Sequence, residues 1–127
     1  MLDRALSRIE ELRSTTPAHI LDWQRSTVLR SRGRLLLANG DLAAAESTMR
    51  AALTVADALG VAAHRALVRL ELGRVLQAQG RPAESRAVLV EARAQFVSGQ
   101  LGRRVAEVDA ALAELGEALS APGPELR

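Results

Sequence analysis

The chain has 127 residues, a net charge of +2 and no cysteine, which allows one domain with a real core and excludes disulfides, thiolate metal sites and a cysteine nucleophile. Trp23 and Phe96 are the only aromatic residues, and the apolar remainder is almost wholly Ala, Leu and Val, a composition that suits closely packed helices better than sheets. All seventeen basic residues are arginine, so the high pI reflects the guanidinium pKa more than surplus charge, and biased GC-rich coding competes with a functional reading of any single arginine.

The start, MLDRALSRIEELR, places Leu2, Ala5, Leu6, Ile9 and Leu12 on one side and Asp3, Arg4, Arg8, Glu10 and Glu11 opposite, which predicts an amphipathic helix over residues 1–13. It lacks the apolar core of a signal peptide, and no stretch approaches eighteen consecutive apolar residues, so a cytoplasmic location and no membrane span are expected. Thr16 is placed to cap a second helix with Pro17 at its first position, running to residue 38. Gly40 should close that helix in the left-handed conformation, and Asp41 should cap the next through its side chain. The third helix is expected over 42–59, closed by Gly60, and the fourth over 61–79, closed by Gly80. Pro82 opens the fifth, which ends near Val97 with Gly99 and Gly102 as its stops. A sixth, over 103–119, carries Val105, Val108, Leu112, Leu115 and Leu119 on one face, and 120–127 reads as a flexible tail.

Two of these joints are one joint written twice. At an offset of forty, Val28 meets Val68, Gly33-Arg34 meets Gly73-Arg74 and Leu36 meets Leu76, while Ala38, Gly40, Ala43 and Ala52 meet Ala78, Gly80, Ala83 and Ala92. Glycine inside a helix costs about 1 kcal/mol relative to alanine. Gly33 and Gly73 therefore require a reason, and the close approach of a neighbouring helix supplies one.

The units resemble tetratricopeptide repeats (TPRs), helix hairpins that stack into a solenoid. Leu72-Gly73, Leu76, Gly80, Ser85, Leu89 and Ala92 fill the motif in the second unit, and Gly33, Leu36, Gly40, Ala45, Met49 and Ala52 fill it in the first. The family's Trp, Tyr and closing proline are missing, Arg32 stands where Leu is usual, and forty exceeds the standard period of thirty-four. Long units ending in ALG or QLG are similar to repeats of large bacterial ATP-binding and LuxR-type transcription regulators. The resemblance implies an all-α fold: a TPR-like α-solenoid of about six antiparallel helices within a single domain, 1–119. Its repeats would cover about 26–65 and 66–105, between helix 1–13 and a capping helix.

Little in the chain supports catalysis. His19 and His64 lie on different units outside any metal-ligand spacing, and SGQLG is not followed by the Lys-Ser or Lys-Thr of a phosphate loop. No enzyme activity, metal or cofactor is expected. In TPR proteins the concave surface is lined by fixed positions of each first helix. The resemblance transfers these to Thr27, Arg30, Arg34, Leu37 and Ala38 in the first unit and to Leu67, Leu70, Arg74, Gln77 and Ala78 in the second. From Gln24 to Asn39 there is no acid but four arginines, so such a groove suits an acidic or amphipathic peptide. Glu71, and the lack of the paired Asn and Lys residues, argue against the carboxylate clamp of chaperone-binding members. The charge balance elsewhere and the missing stacking aromatics argue against direct nucleic-acid binding. Trp23 has two readings, a core residue or an exposed interface anchor, and a second copy stacked on the solenoid ends would cover their unpaired apolar faces. The expected function is a non-catalytic protein-protein interaction module. The alternative is the sensing or oligomerising part of a bacterial transcription regulator.

Overall fold

The computed structural model describes residues 4, 5 and 18–120, and all regular structure among them is helical. Five helices follow in order: α1 (Ala18–Ala38), α2 (Leu42–Leu59), α3 (Ala62–Ala78), α4 (Pro82–Ser98) and α5 (Gly102–Ser120). They lie within a residue of the second to sixth helices that periodicity predicts. The helix expected over 1–13 lies outside the described residues, except that Arg4 and Ala5 are helical. Thr16, Pro17 and the tail from 121 lie outside them too.

The joints explain why the helices stop where they do. After α1, the Gly40 amide donates to the Leu37 carbonyl at 3.0 Å and the Asp41 amide to the Leu36 carbonyl at 2.9 Å. After α3, Gly80 donates to Gln77 and Arg81 to Leu76, both at 3.0 Å. This paired closure requires a left-handed residue at its centre. Gly40 (φ 82°) and Gly80 (φ 74°) supply it, and a side chain at either would meet open space. Backbone handedness, and not crowding, is what selects glycine there.

Two local expectations fail. Gly99 is the C-cap of α4, but the left-handed residue that closes the turn is neither Gly99, at φ −84°, nor Gly102 but Gln100, at φ 59°, with the same pair of bonds from Gln100 to Val97 and from Leu101 to Phe96. Gln100 stands forty residues after Gly60, so the repeat places the turn while the side chain does not favour it. Nor does the Asp41 side chain cap α2. Its φ and ψ of −81° and 70° depart from the extended geometry of a capping residue, and its main-chain carbonyl starts the helix by accepting from Ala45 at 2.9 Å.

Packing repeats as well. A Cβ on Gly33 would stand 2.8 Å from Met49 Cε, and one on Gly73 only 2.6 Å from Leu89 Cδ2. Met49 and Leu89 are themselves forty residues apart, so both hairpins close by laying a large side chain of the second helix on a glycine of the first. Ser85 adds a hydroxyl that donates to the Gly73 carbonyl at 2.6 Å. Consecutive helices pack together, α1 touches α3, and α3 touches α5, whereas α1 and α5 make no contact. One core cluster joins Ala52, Ala56 and Val68, and a second joins Ala45, Met49, Leu72, Val75 and Leu76. The largest gathers Leu70, Leu89, Phe96, Val108 and Leu115 beneath α5, where each large side chain withdrawn from water contributes about 1.5–3 kcal/mol.

Candidate functional site: the face shared by α1 and α3

Trp23 and Ser26 of α1 meet His64 of α3, and Arg30 and Arg34 meet Glu71. The partners advance in step, so the two helices run side by side in the same direction and form one continuous face.

At the centre of that face, Arg30 Nη1 donates to Glu71 Oε1 at 2.7 Å, with 17% of the Arg30 side chain and 7% of the Glu71 side chain exposed. Arg34 is held more loosely. Its Nε stands 3.7 Å from Glu71 Oε2, an ion-pair distance too long for a hydrogen bond, its side chain is 63% exposed, and Oε2 accepts no hydrogen bond. Arg74, one turn beyond Glu71, is exposed and has no ion pair among the described residues.

The ten positions expected to line a groove thus separate. Arg34, Arg74, Ala38 and Ala78 are exposed along the face. Thr27 is half-buried, and its hydroxyl donates to the Trp23 carbonyl at 3.0 Å. Leu37 and Leu67 are half-buried and lean on core clusters, and Gln77 is half-buried. Leu70 is a correction: it has no accessible surface, because it is the centre of the cluster beneath α5. Arg30 is committed to Glu71 and is no longer a free cation. Residue 71 is the counterpart of Ser31 at the offset of forty, so the repeat itself carries no signal that an acid faces the arginines of α1.

At the other end of the face, Trp23 is 44% exposed and stacks on His64 with ring centroids 4.5 Å apart and 28° between planes. Trp23 is therefore not a core residue, although its ring packs against His64. His64 itself is buried. Ser26 Oγ lies 2.7 Å from His64 Nε2 and donates to the Ala52 carbonyl at 3.1 Å. That carbonyl can only accept, so it takes the single hydroxyl proton, and Nε2 must carry the hydrogen that donates to Ser26. Burial lowers the His64 pKa, and the positive field of Arg30 lowers it further. A neutral imidazole therefore ties α3 to α1 and, through Ser26, to α2.

No family model, curated protein or solved structure matches the chain.

Beside Trp23 a groove of about 300 Å³ is lined by Ile20, Trp23, Leu59 and Val61. Farther along α1 a second hollow, of about 460 Å³, is lined by Ser31, Arg34, Leu35 and Ala38. Among the described residues no three His, Asp or Glu side chains gather as metal ligands would, and no helix is long and apolar enough to cross a membrane.

Proposed function

We propose that the chain is a short TPR-like solenoid that acts as a non-catalytic interaction module, receiving an acidic, amphipathic segment of a partner protein on the face shared by α1 and α3. The observation that carries this reading is the repeat of one exposed arrangement on adjacent parallel helices. Arg34 and Ala38 on α1 recur as Arg74 and Ala78 on α3. Guanidinium groups that project from rigid helices beside small residues can hold carboxylates in two-pronged fashion while the partner's backbone lies close. Glu71 offsets part of the charge, but it is shared by Arg30 and Arg34 and leaves Arg74 without an ion pair among the described residues.

Native lysate passed over the immobilised chain tests the reading. Replacing Arg34 and Arg74 together by Glu should remove the captured protein, while the melting temperature moves by no more than about 2 °C, as exposed charges contribute little to stability. Unchanged capture would remove the arginine face from consideration.

A second reading, an oligomerising or sensing segment of a transcription regulator, draws on α4. There Val90 and Val97, two turns apart, are 50% and 52% exposed. Sedimentation equilibrium separates the two: self-association abolished by Val90→Glu favours the second, and a monomer at all concentrations favours the first.

A further inference from the structure

Among the described residues, four of the six large apolar side chains left exposed, Ile20, Trp23, Leu35 and Val61, lie on α1 or at the start of α3. At about 100° per residue, positions 20, 23, 27, 31, 34, 35 and 38 of α1 fall within an arc of about 120°. The Trp23 groove, Arg34 and the Leu35 hollow thus belong to a single stripe, apolar at the Trp23 end, hydroxyl-bearing at Thr27 and Ser31, and cationic beside apolar at Arg34 and Leu35. Ile20 and Leu35 are fifteen positions apart, which is about 22 Å along the helix.

We infer that this stripe is the seat of a partner helix of at least four turns, which places one apolar side chain in the Trp23 groove, another against Leu35, and carboxylates on Arg34 and Arg74. The inference rests on the reading above and adds to it the partner's form and a second anchoring point. Charge complementarity selects the occupant, since α1 has no acid between Gln24 and Asn39. The form follows from hydrogen bonding. Every backbone group in the middle of α1 and α3 is already used, and the Trp23 groove is lined by apolar side chains, so an extended peptide would bury its own N–H and C=O groups there without partners. A helix satisfies them internally and lays down an apolar side. Trp23 is the preorganised part of the seat, because stacking on buried His64 fixes its ring before any partner arrives.

Trp23 is the only tryptophan, so its fluorescence reports occupancy. The probe is a synthetic 20-residue amphipathic peptide without tryptophan, with leucine pairs fifteen residues apart and glutamates flanking them between; the control replaces each Glu by Lys. The Glu peptide should give a saturable blue shift, and the Lys peptide none. Leu35→Ala, which touches no core cluster, should weaken binding about tenfold, the loss expected when an interface anchor is cut back. Calorimetry should show a similar loss for Trp23→Ala.

Equal response to both peptides, or no saturable response, would overturn the inference. So would a blue shift that grows with protein concentration alone, which assigns the stripe to a second copy, or peptide binding that requires deletion of residues 1–13, which assigns it to the chain's own first segment. Lysate capture that depends on Arg34 and Arg74 but not on Trp23 or Leu35 sinks this inference and leaves the broader reading intact.

Discussion

Gln100 holds a left-handed backbone, φ 59°, at the one joint among the described residues where the chain has not placed a glycine in that conformation. For a residue with a side chain this conformation costs about 1–2 kcal/mol, and glycine returns part of that through its larger freedom when unfolded. Gln100→Gly should therefore stabilise the protein by about 1 kcal/mol, raising the melting temperature by about 3–5 °C in calorimetry. Gly80→Ala should cost about as much, although a methyl group there meets nothing. His64 gives a different test. Its folded pKa lies below the ordinary value of 6.5, so the unfolded chain binds the proton more readily and stability falls as pH drops below about 6.5. The carboxylates whose pKa values are lowered, Glu46 beside Arg50 and Glu84 beside Arg81, lose their stabilising pairs only below about 4.5. Urea titrations at pH 7 and pH 5 should show a loss that His64→Gln abolishes. Gly33 and Gly73 could be read in advance because a helical glycine is a local anomaly. Glu71 beside Arg30 and His64 beside Trp23 could not, because each pairing spans forty-one residues and exists only once α1 and α3 lie side by side.

Each hairpin closes over a glycine, but the two closures differ in how much they can give. An added Cβ at Gly73 would strike both Cδ2 and Cγ of Leu89, at 2.6 and 2.7 Å, and Leu89 is wholly buried. At Gly33 the obstacle is Met49, at 2.8 to 3.0 Å, whose unbranched side chain can rearrange. Alanine gains about 1 kcal/mol of helix propensity at either site, and crowding a filled core costs about 1–3 kcal/mol. Gly73→Ala should then destabilise by about 1 kcal/mol or more, and Gly33→Ala should be close to neutral, as denaturant midpoints will show. Helix boundaries were legible because three stops are marked by glycine and one start by proline. The stop at Gln100 was hidden, since its sequence neighbours Gly99 and Gly102 offered the usual signal at the wrong positions. Asp41 misled for the opposite reason: the residue type fits a cap, but the paired closure of the preceding helix fixes a backbone geometry that its carboxylate cannot use.

The core is built unevenly. α1 meets the clusters beside it only with the half-buried Leu29, Leu36 and Leu37, and α2 enters them with Ala45, Ala52, Ala56 and Met49, whereas α3, α4 and α5 enclose Leu70, Leu89, Phe96, Val108 and Leu115. Because helices pack mainly on their neighbours, opening can begin where burial is poorest. Native-state hydrogen exchange should find amides of α1 and α2 opening with less free energy than those of α3 and α4. Leu115→Ala should cost about 2–5 kcal/mol and narrow that difference. The all-helical class was readable from composition and punctuation, and most of the apolar face of α5 was readable from its spacing, with Val108 and Leu115 fully buried. The electrostatics of the α1–α3 face was not. The arginines were counted along one helix, while their neutralising carboxylate belongs to another.

The joint at Gly40 and the joint at Gly80 share their hydrogen bonds and their handedness, so residues 41–80 form a block that begins and ends at equivalent points. A second copy spliced in after Gly80 would meet Asp41 in the setting it already occupies, and Gly73 would face a methionine in place of Leu89. The molecule's reach is thus open to lengthening in forty-residue increments by plain gene duplication, with no new turn to invent.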